Sequence, residues 1–225
     1  MNKNHPNPEE LREYLDRRFG QEDAVLHHIR QSSVIKGLPS IQIPIYLGKL
    51  LHFLASTLQA KHILEIGTLG GYSTVWLARA LPETGYMISL EANPQYCQIA
   101  QEHLLQAGLS HLVKIRQGYA VDLLAQIATE NLASFDFVFI DADKENNVLY
   151  LDWAIHLSQP GSLILIDNLI PKGKHVGYPN HEEAQTIYAF NDYLAVHPKL
   201  ETVLIPTLVR EGRLDGLALA RVKKS

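Results

Sequence analysis

The stretch FDFVFIDADK ends in Asp141, Asp143 and Lys144, and LILIDN ends in Asp167 and Asn168. Both begin as short apolar runs and finish on polar groups. Two carboxylates and an amide oxygen form a hard, all-oxygen donor set suited to Mg²⁺ or Ca²⁺. No cluster of His and Cys offers the softer donors of a zinc site. Acids at strand ends also cap the helices that follow, and spacing alone does not separate the two readings. Lys144 follows Asp141 by three residues. A lysine beside a cation and partly out of water gives up its proton more readily. It can then act as a base toward a hydroxyl held at the metal. Without a metal it is an ordinary surface lysine.

A second constellation precedes this one. HILEIGTLGGYSTVWLA, His62 to Ala78, runs from an apolar stretch through a glycine-rich turn into helical sequence. The dinucleotide spacing G-x-G-x-x-G is absent, which counts against a nicotinamide-dependent dehydrogenase. The glycines still allow a ligand close to the backbone, and the helix start can meet a carboxylate. Glu65 is a poor neighbour for a pyrophosphate and a good one for an ammonium group. Glu91 ends the next apolar run, about 20 residues on, where an acid can bind both ribose hydroxyls. A nucleoside joined to an amino acid satisfies both features, and S-adenosylmethionine has that make-up.

These residues need a scaffold that brings them to one edge. The chain has 225 residues, 46% of them hydrophobic, enough for one sizeable core. Strands are predicted at His62–Ile66, Tyr86–Glu91, Leu112–Gln117, Phe135–Asp141 and Ser162–Asp167. Helices are predicted between them near Ser73–Leu81, Pro94–Ala107, Val121–Glu130 and Asn147–Leu157. Such alternation gives a parallel sheet covered on both faces. Glu182–Ala195 reads as a helix, and Leu200–Val209 and Leu214–Val222 as a closing hairpin joined by REGR. The result is an α/β fold with an antiparallel edge. The first 60 residues read as three helices, beginning after Asn7-Pro8, near Glu22 and near Pro44. Ligands in such folds bind past the carboxyl ends of the strands.

Composition narrows the function further. Lys and Arg number 20 against 24 Asp and Glu, a net charge of −4, which gives no support to broad phosphate neutralisation on nucleic acid. Cys97 is the one cysteine, so a reducing cytoplasm fits and a buried structural thiol is expected. No signal peptide and no membrane span is visible. Trp76 and Trp153 fit helix faces on the sheet, and Tyr72, Tyr119 or Trp153 can edge a pocket. The paired His27 and His28 need no function.

LEIGTLGGYS, FDFVFIDADK and LIDN, in that order and at those separations, with IYAFND and DGLALARV after them, resemble a known family. It is the cation-dependent class I O-methyltransferases, which include caffeoyl-CoA and catechol O-methyltransferases and small bacterial members. The similarity runs from about Leu38 to the end. It implies a Rossmann-like α/β fold with a mostly parallel seven-stranded sheet, an antiparallel edge strand and extra N-terminal helices. The whole chain would be one domain, with residues 1–60 as a helical appendage and 61–225 as the cofactor-binding core. Glu65, Gly67, Thr68 and Ser73 would hold the methionine part of S-adenosylmethionine, Glu91 the ribose, Ala120 the adenine side, and Ile43 a further cofactor contact. Asp141 would touch cofactor and metal, with Asp143 close to the cofactor. Asp141, Asp167 and Asn168 would ligate a divalent cation, Mg²⁺ first, with Ca²⁺ or Mn²⁺ as alternatives, and Lys144 would be the general base.

The chain departs from the family at Tyr119, Ile41 and Asn147, where Asp, Met and Tyr are usual. It departs again in LIPKGKHVGYP, where Trp and Gly often follow the metal ligands. The expected acceptor is a catechol-like vicinal diol; a hydroxylated tRNA uridine is the alternative. A homodimer and no membrane partner are expected. A non-catalytic cofactor-binding protein is the third class, and the intact acid, amide and lysine set argues against it.

Overall fold

The computed structural model describes residues 7–171, 182–209 and 213–224. The apolar runs become strands β1 His62–Ile66, β2 Tyr86–Glu91, β3 Val113–Gln117, β4 Phe135–Ile140, β5 Ser158–Ile166, β6 Leu200–Leu208 and β7 Leu214–Val222. The helices are α1 Pro8–Leu15, α2 Ala24–Ile35, α3 Ile45–Thr57, α4 Tyr72–Ala78, α5 Pro94–Gln106, α6 Ala120–Thr129, α7 Asn147–His156 and α8 Glu182–Ala195. Elements fall where periodicity predicts them, with differences at their ends. The α1 helix does not stop at its last α-turn but widens into a π-helical turn, Asp16–Gly20. The α2 helix starts at Ala24, because Asp23 caps it by accepting from the Leu26 N–H at 2.9 Å. The β5 strand starts four residues earlier than predicted. Ser158 already pairs with Phe135, across a register shift before Phe137.

The strand order is β3-β2-β1-β4-β5-β7-β6. From β3 to β5 all pairings are parallel, and β7 runs against both β5 and β6. The antiparallel end of the sheet is therefore the β6–β7 hairpin, with β7 slotted between β5 and the outermost strand. Chain order reverses between β1 and β4, which leaves a crevice past their carboxyl ends. Neighbouring β4 and β5 bring Ile140 beside Ile166, so Asp141 and the Asp167-Asn168 pair emerge at one edge.

Alternate residues of the strands feed two cores. Leu64, Ile66, Val138, Ile140, Ile164 and Ile166 pack under α6, α7 and α8. Ile63, Phe137, Phe139 and Leu165 pack on the other face under α2 to α5. The N-terminal helices join that second core through Leu26, Ile29, Leu47 and Leu51, each at most 1% exposed. Trp76 lies in the same layer so close to α3 that a Cβ on Gly48 would meet its indole at 2.3 Å. Cys97 is buried on α5, and burial pushes its thiol up to about 11, as expected of an inert structural cysteine. Among the described residues no helix is long and apolar enough to cross a membrane.

Candidate active site

A cavity of about 550 Å³ opens over the carboxyl ends of β1, β2, β4 and β5. Ile43, Gly67, Thr68, Ser73, Glu91, Ala120, Asp141, Asp143, Lys144, Asp167 and Asn168 all line it. Glu65 does not. It is fully buried behind the wall, and its carboxylate accepts hydrogen bonds from Ser73 Oγ, Thr74 Oγ1 and Ser89 Oγ, each at 2.6 Å. Ser73, which lines the pocket, stands between it and Glu65, so the acid read from the sequence as an ammonium neighbour is set back from the lining. Burial pushes the Glu65 carboxyl up to about 7, against the pull of the three hydroxyls.

The glycine-rich turn is held by Glu91, which the sequence marked for another role, and by His103, Glu22 and Arg30, which it did not mark. Glu91 accepts from the backbone N–H groups of Leu69 at 2.8 Å and Thr68 at 3.3 Å, and from Asn93 at 2.9 Å. It thus fixes the turn while it faces the pocket, and the remaining lone pairs can meet a diol. His103, with no exposed surface, sits 2.7 Å from the Gly70 carbonyl through Nδ1 and 3.0 Å from Ser32 Oγ through Nε2. A carbonyl can only accept, so Nδ1 carries the hydrogen, and burial holds the ring in its neutral form. Tyr72 lines the wall and donates to Glu22 at 2.7 Å, which Arg30 pairs from the other side. In this way α2 braces the turn at two points. Tyr119 lines the pocket as well, while Trp153 lies on α7 away from it.

Gly67 is where the two halves of the site touch. Its φ is +99°, and a Cβ there would lie 2.2 Å from the Asp141 carbonyl oxygen. Only glycine allows the ends of β1 and β4 to come this close. On the far side, Asp143 accepts from Tyr150 Oη and Asn146 Nδ2. Lys144 Nζ donates to the Asp167 carbonyl at 3.1 Å and stands 3.6 Å from Asp141 Oδ1.

Asp167 is 2% exposed, and its Oδ1 has no hydrogen-bond partner. Burial, with Asp141 and then Asp215 close by, pushes its carboxyl up to about 8. Asn168 holds a φ of +62°, a left-handed conformation that costs energy outside glycine. Among the described residues no group of three or more His, Cys, Asp or Glu stands as a metal cage; the set here is two carboxylates with an amide oxygen. An orphaned carboxylate oxygen, a second carboxylate and an amide at one floor fit a hard divalent cation. Of the acceptor-side loop LIPKGKHVGYP, residues 172–179 lie outside the described residues, as do 210–212 of REGR.

A family model described as O-methyltransferase matches residues 17–223. A catechol O-methyltransferase of Niastella koreensis is 41% identical, covering 96% of this chain and 97% of that protein. A catechol O-methyltransferase of Mycobacterium tuberculosis is 38% identical, with 97% of each covered. The crystal structure of an O-methyltransferase from Bacillus cereus in complex with SAH superposes with a TM-score of 0.88 at 37% identity, covering 95% of this chain and 97% of that one.

Proposed function

The chain belongs to the O-methyltransferase family, and we propose that it moves the methyl group of S-adenosylmethionine to one hydroxyl of a vicinal diol with the help of a divalent cation. The most compact such acceptor is a catechol. The observation that carries this reading is Asp167 Oδ1, buried without a partner beside Asp141 and Asn168. The catechol O-methyltransferases among the relatives support the acceptor class. Nothing in the site or among these relatives favours the tRNA base.

When bound, S-adenosylmethionine supplies an electrophilic methyl on sulfur, and the cation supplies Lewis acidity toward acceptor oxygens. Asp141, Asp167 and Asn168 would hold the cation, each through oxygen. Glu91 and the turn from Gly67 to Ser73 would hold the nucleoside and amino-acid ends of the cofactor. Asp141, whose backbone packs against Gly67, would reach both the cation and the cofactor. Lys144, anchored on the Asp167 carbonyl, would take the acceptor hydroxyl proton on Nζ. The pocket walls would hold the two reactants together, and such positioning is itself a large part of catalysis.

The test is a methyl-transfer assay with S-adenosylmethionine and catechol, catechol monomethyl ether or tRNA, each with Mg²⁺ or with EDTA. Methylation of catechol in Mg²⁺ alone is expected. Equal turnover in EDTA overturns the metal, and equal turnover of the monoether overturns the diol.

A further inference from the structure

Asp215, the second residue of β7, is 1% exposed. Its Oδ1 accepts from the backbone N–H of Gly216 at 2.8 Å and of Ile170 at 3.3 Å. Its Oδ2 accepts from Asn168 Nδ2 at 3.3 Å, with the Arg213 guanidinium at 3.5 Å. The next residue, Gly216, takes the Leu169 N–H on its carbonyl at 3.0 Å. The start of β7 therefore grips the 168–170 turn at three successive positions, and it meets the Asn168 side chain with a carboxylate.

That last contact has a stereochemical consequence. An amide presents donors on one arm and an acceptor on the other, and a carboxylate oxygen can only accept. The Asn168 arm that faces Asp215 must therefore be the NH₂. Its oxygen is the arm left for the pocket that Asn168 lines. With the amide reversed, N–H donors would face Asp141 and Asp167, and a cation there would meet hydrogen instead of a lone pair.

We propose that Asp215 is a positioning residue of the metal site, which fixes the Asn168 amide with its oxygen toward Asp141 and Asp167. This inference rests on the divalent-cation reading of the site. It concerns a residue outside the first coordination set, and partners of that kind set ligand orientation and affinity in metal sites.

The test is a double-mutant cycle read by Mn²⁺ binding, followed as loss of the free-ion electron paramagnetic resonance signal, without cofactor or acceptor. Asp215→Asn keeps the shape and offers an N–H toward Asn168, which then turns its oxygen away from the site. A loss of Mn²⁺ affinity of about 10- to 100-fold is expected. Asn168→Asp carries oxygen on both arms, so in that background Asp215→Asn is expected to cost nothing. A merely structural role for Asp215 would weaken both backgrounds alike, and that result, or unchanged affinity in Asp215→Asn, overturns the proposal alone. If the wild-type protein takes up no Mn²⁺, the metal reading itself falls, and the proposal with it. Should the Asp215→Asn protein not fold, neutron diffraction of the deuterated wild type answers the same question. The deuterium-bearing nitrogen of Asn168 is expected on the Asp215 side, and oxygen there overturns the proposal.

Discussion

Glu65 and Asp167 are both buried carboxylates at the carboxyl ends of parallel strands, one on each side of the cleft. Burial is the largest cause raising both. Their surroundings differ. Glu65 receives three hydroxyl donors and faces the helix that carries the cofactor turn. Asp167 has an oxygen with no partner and two further carboxylates near it. A buried polar group without a partner costs about 1–3 kcal/mol, and like charges add to that. The Glu65 side is thus complete without any ligand, and its order serves to shape a turn. The Asp167 side leaves a buried carboxylate oxygen without a donor, and the proposed cation would supply the complementary charge. One half of the cleft is completed by the chain's own hydroxyls; the other keeps a buried carboxylate oxygen that a cation, on the proposed reading, would satisfy.

The largest effect should come from removing the incomplete side. Asp167→Ala is expected to abolish metal-dependent turnover, far beyond the roughly 10- to 100-fold cost of losing an outer-sphere partner. Cofactor affinity, measured by calorimetry with S-adenosylhomocysteine, should stay within about twofold. Full turnover of this variant, or an equal loss of cofactor binding, would erase the distinction between the halves.

Lys144→Ala comes next. Loss of a general base costs about 10²- to 10⁴-fold in kcat, and the cofactor turn should not register it. Steady-state kinetics over a pH series would check this, and an unchanged kcat at every pH would remove Lys144 from the reaction.

The smallest effect on turnover is expected from Glu65→Gln, which has the same shape and still accepts hydrogen bonds. Its signature is in stability. The folded-state pKa of Glu65, about 7, lies above its ordinary value of 4.5, so the folded protein binds the proton more tightly than the unfolded chain does. Stability from this group is fully present below about 4.5 and falls as pH rises to about 7. The loss across that window is of the order of 3 kcal/mol. Urea unfolding at pH 5 and pH 8 should show a shallower decline in Glu65→Gln than in the wild type. An identical decline would mean that Glu65 does not titrate in this range.

Much of the architecture was legible because the sequence alternates period-two apolar runs with amphipathic helices, and those patterns fix element type. Asp141, Asp167 and Asn168 were legible as polar groups that directly follow apolar strands; that those strands are neighbours was a condition that the structure met. Glu91 was legible as a strand-end acid, but its grip on the Thr68 and Leu69 N–H groups was not, since nothing local encodes contacts more than twenty residues away. His103 on α5 gave no signal: a lone histidine in an amphipathic helix looks the same whether it meets water or the Gly70 carbonyl. The β5 start was placed four residues late because SQPG carries no apolar run, and its pairing to Phe135 exists only once the strands are side by side.

By itself the sequence determined that strand-end acids, a glycine turn without dinucleotide spacing and a lysine three residues past an aspartate belong to one α/β chain. Those are local properties, set by residue type and spacing. Tertiary structure decided what each group faces. It sent Glu65 inward to three hydroxyls instead of into the cleft, left Asp167 Oδ1 without a donor, and set Asp215 against the Asn168 amide. Burial and hydrogen-bond partnership depend on residues far apart in the chain, so they exist only once the strands have paired and the helices have closed over them.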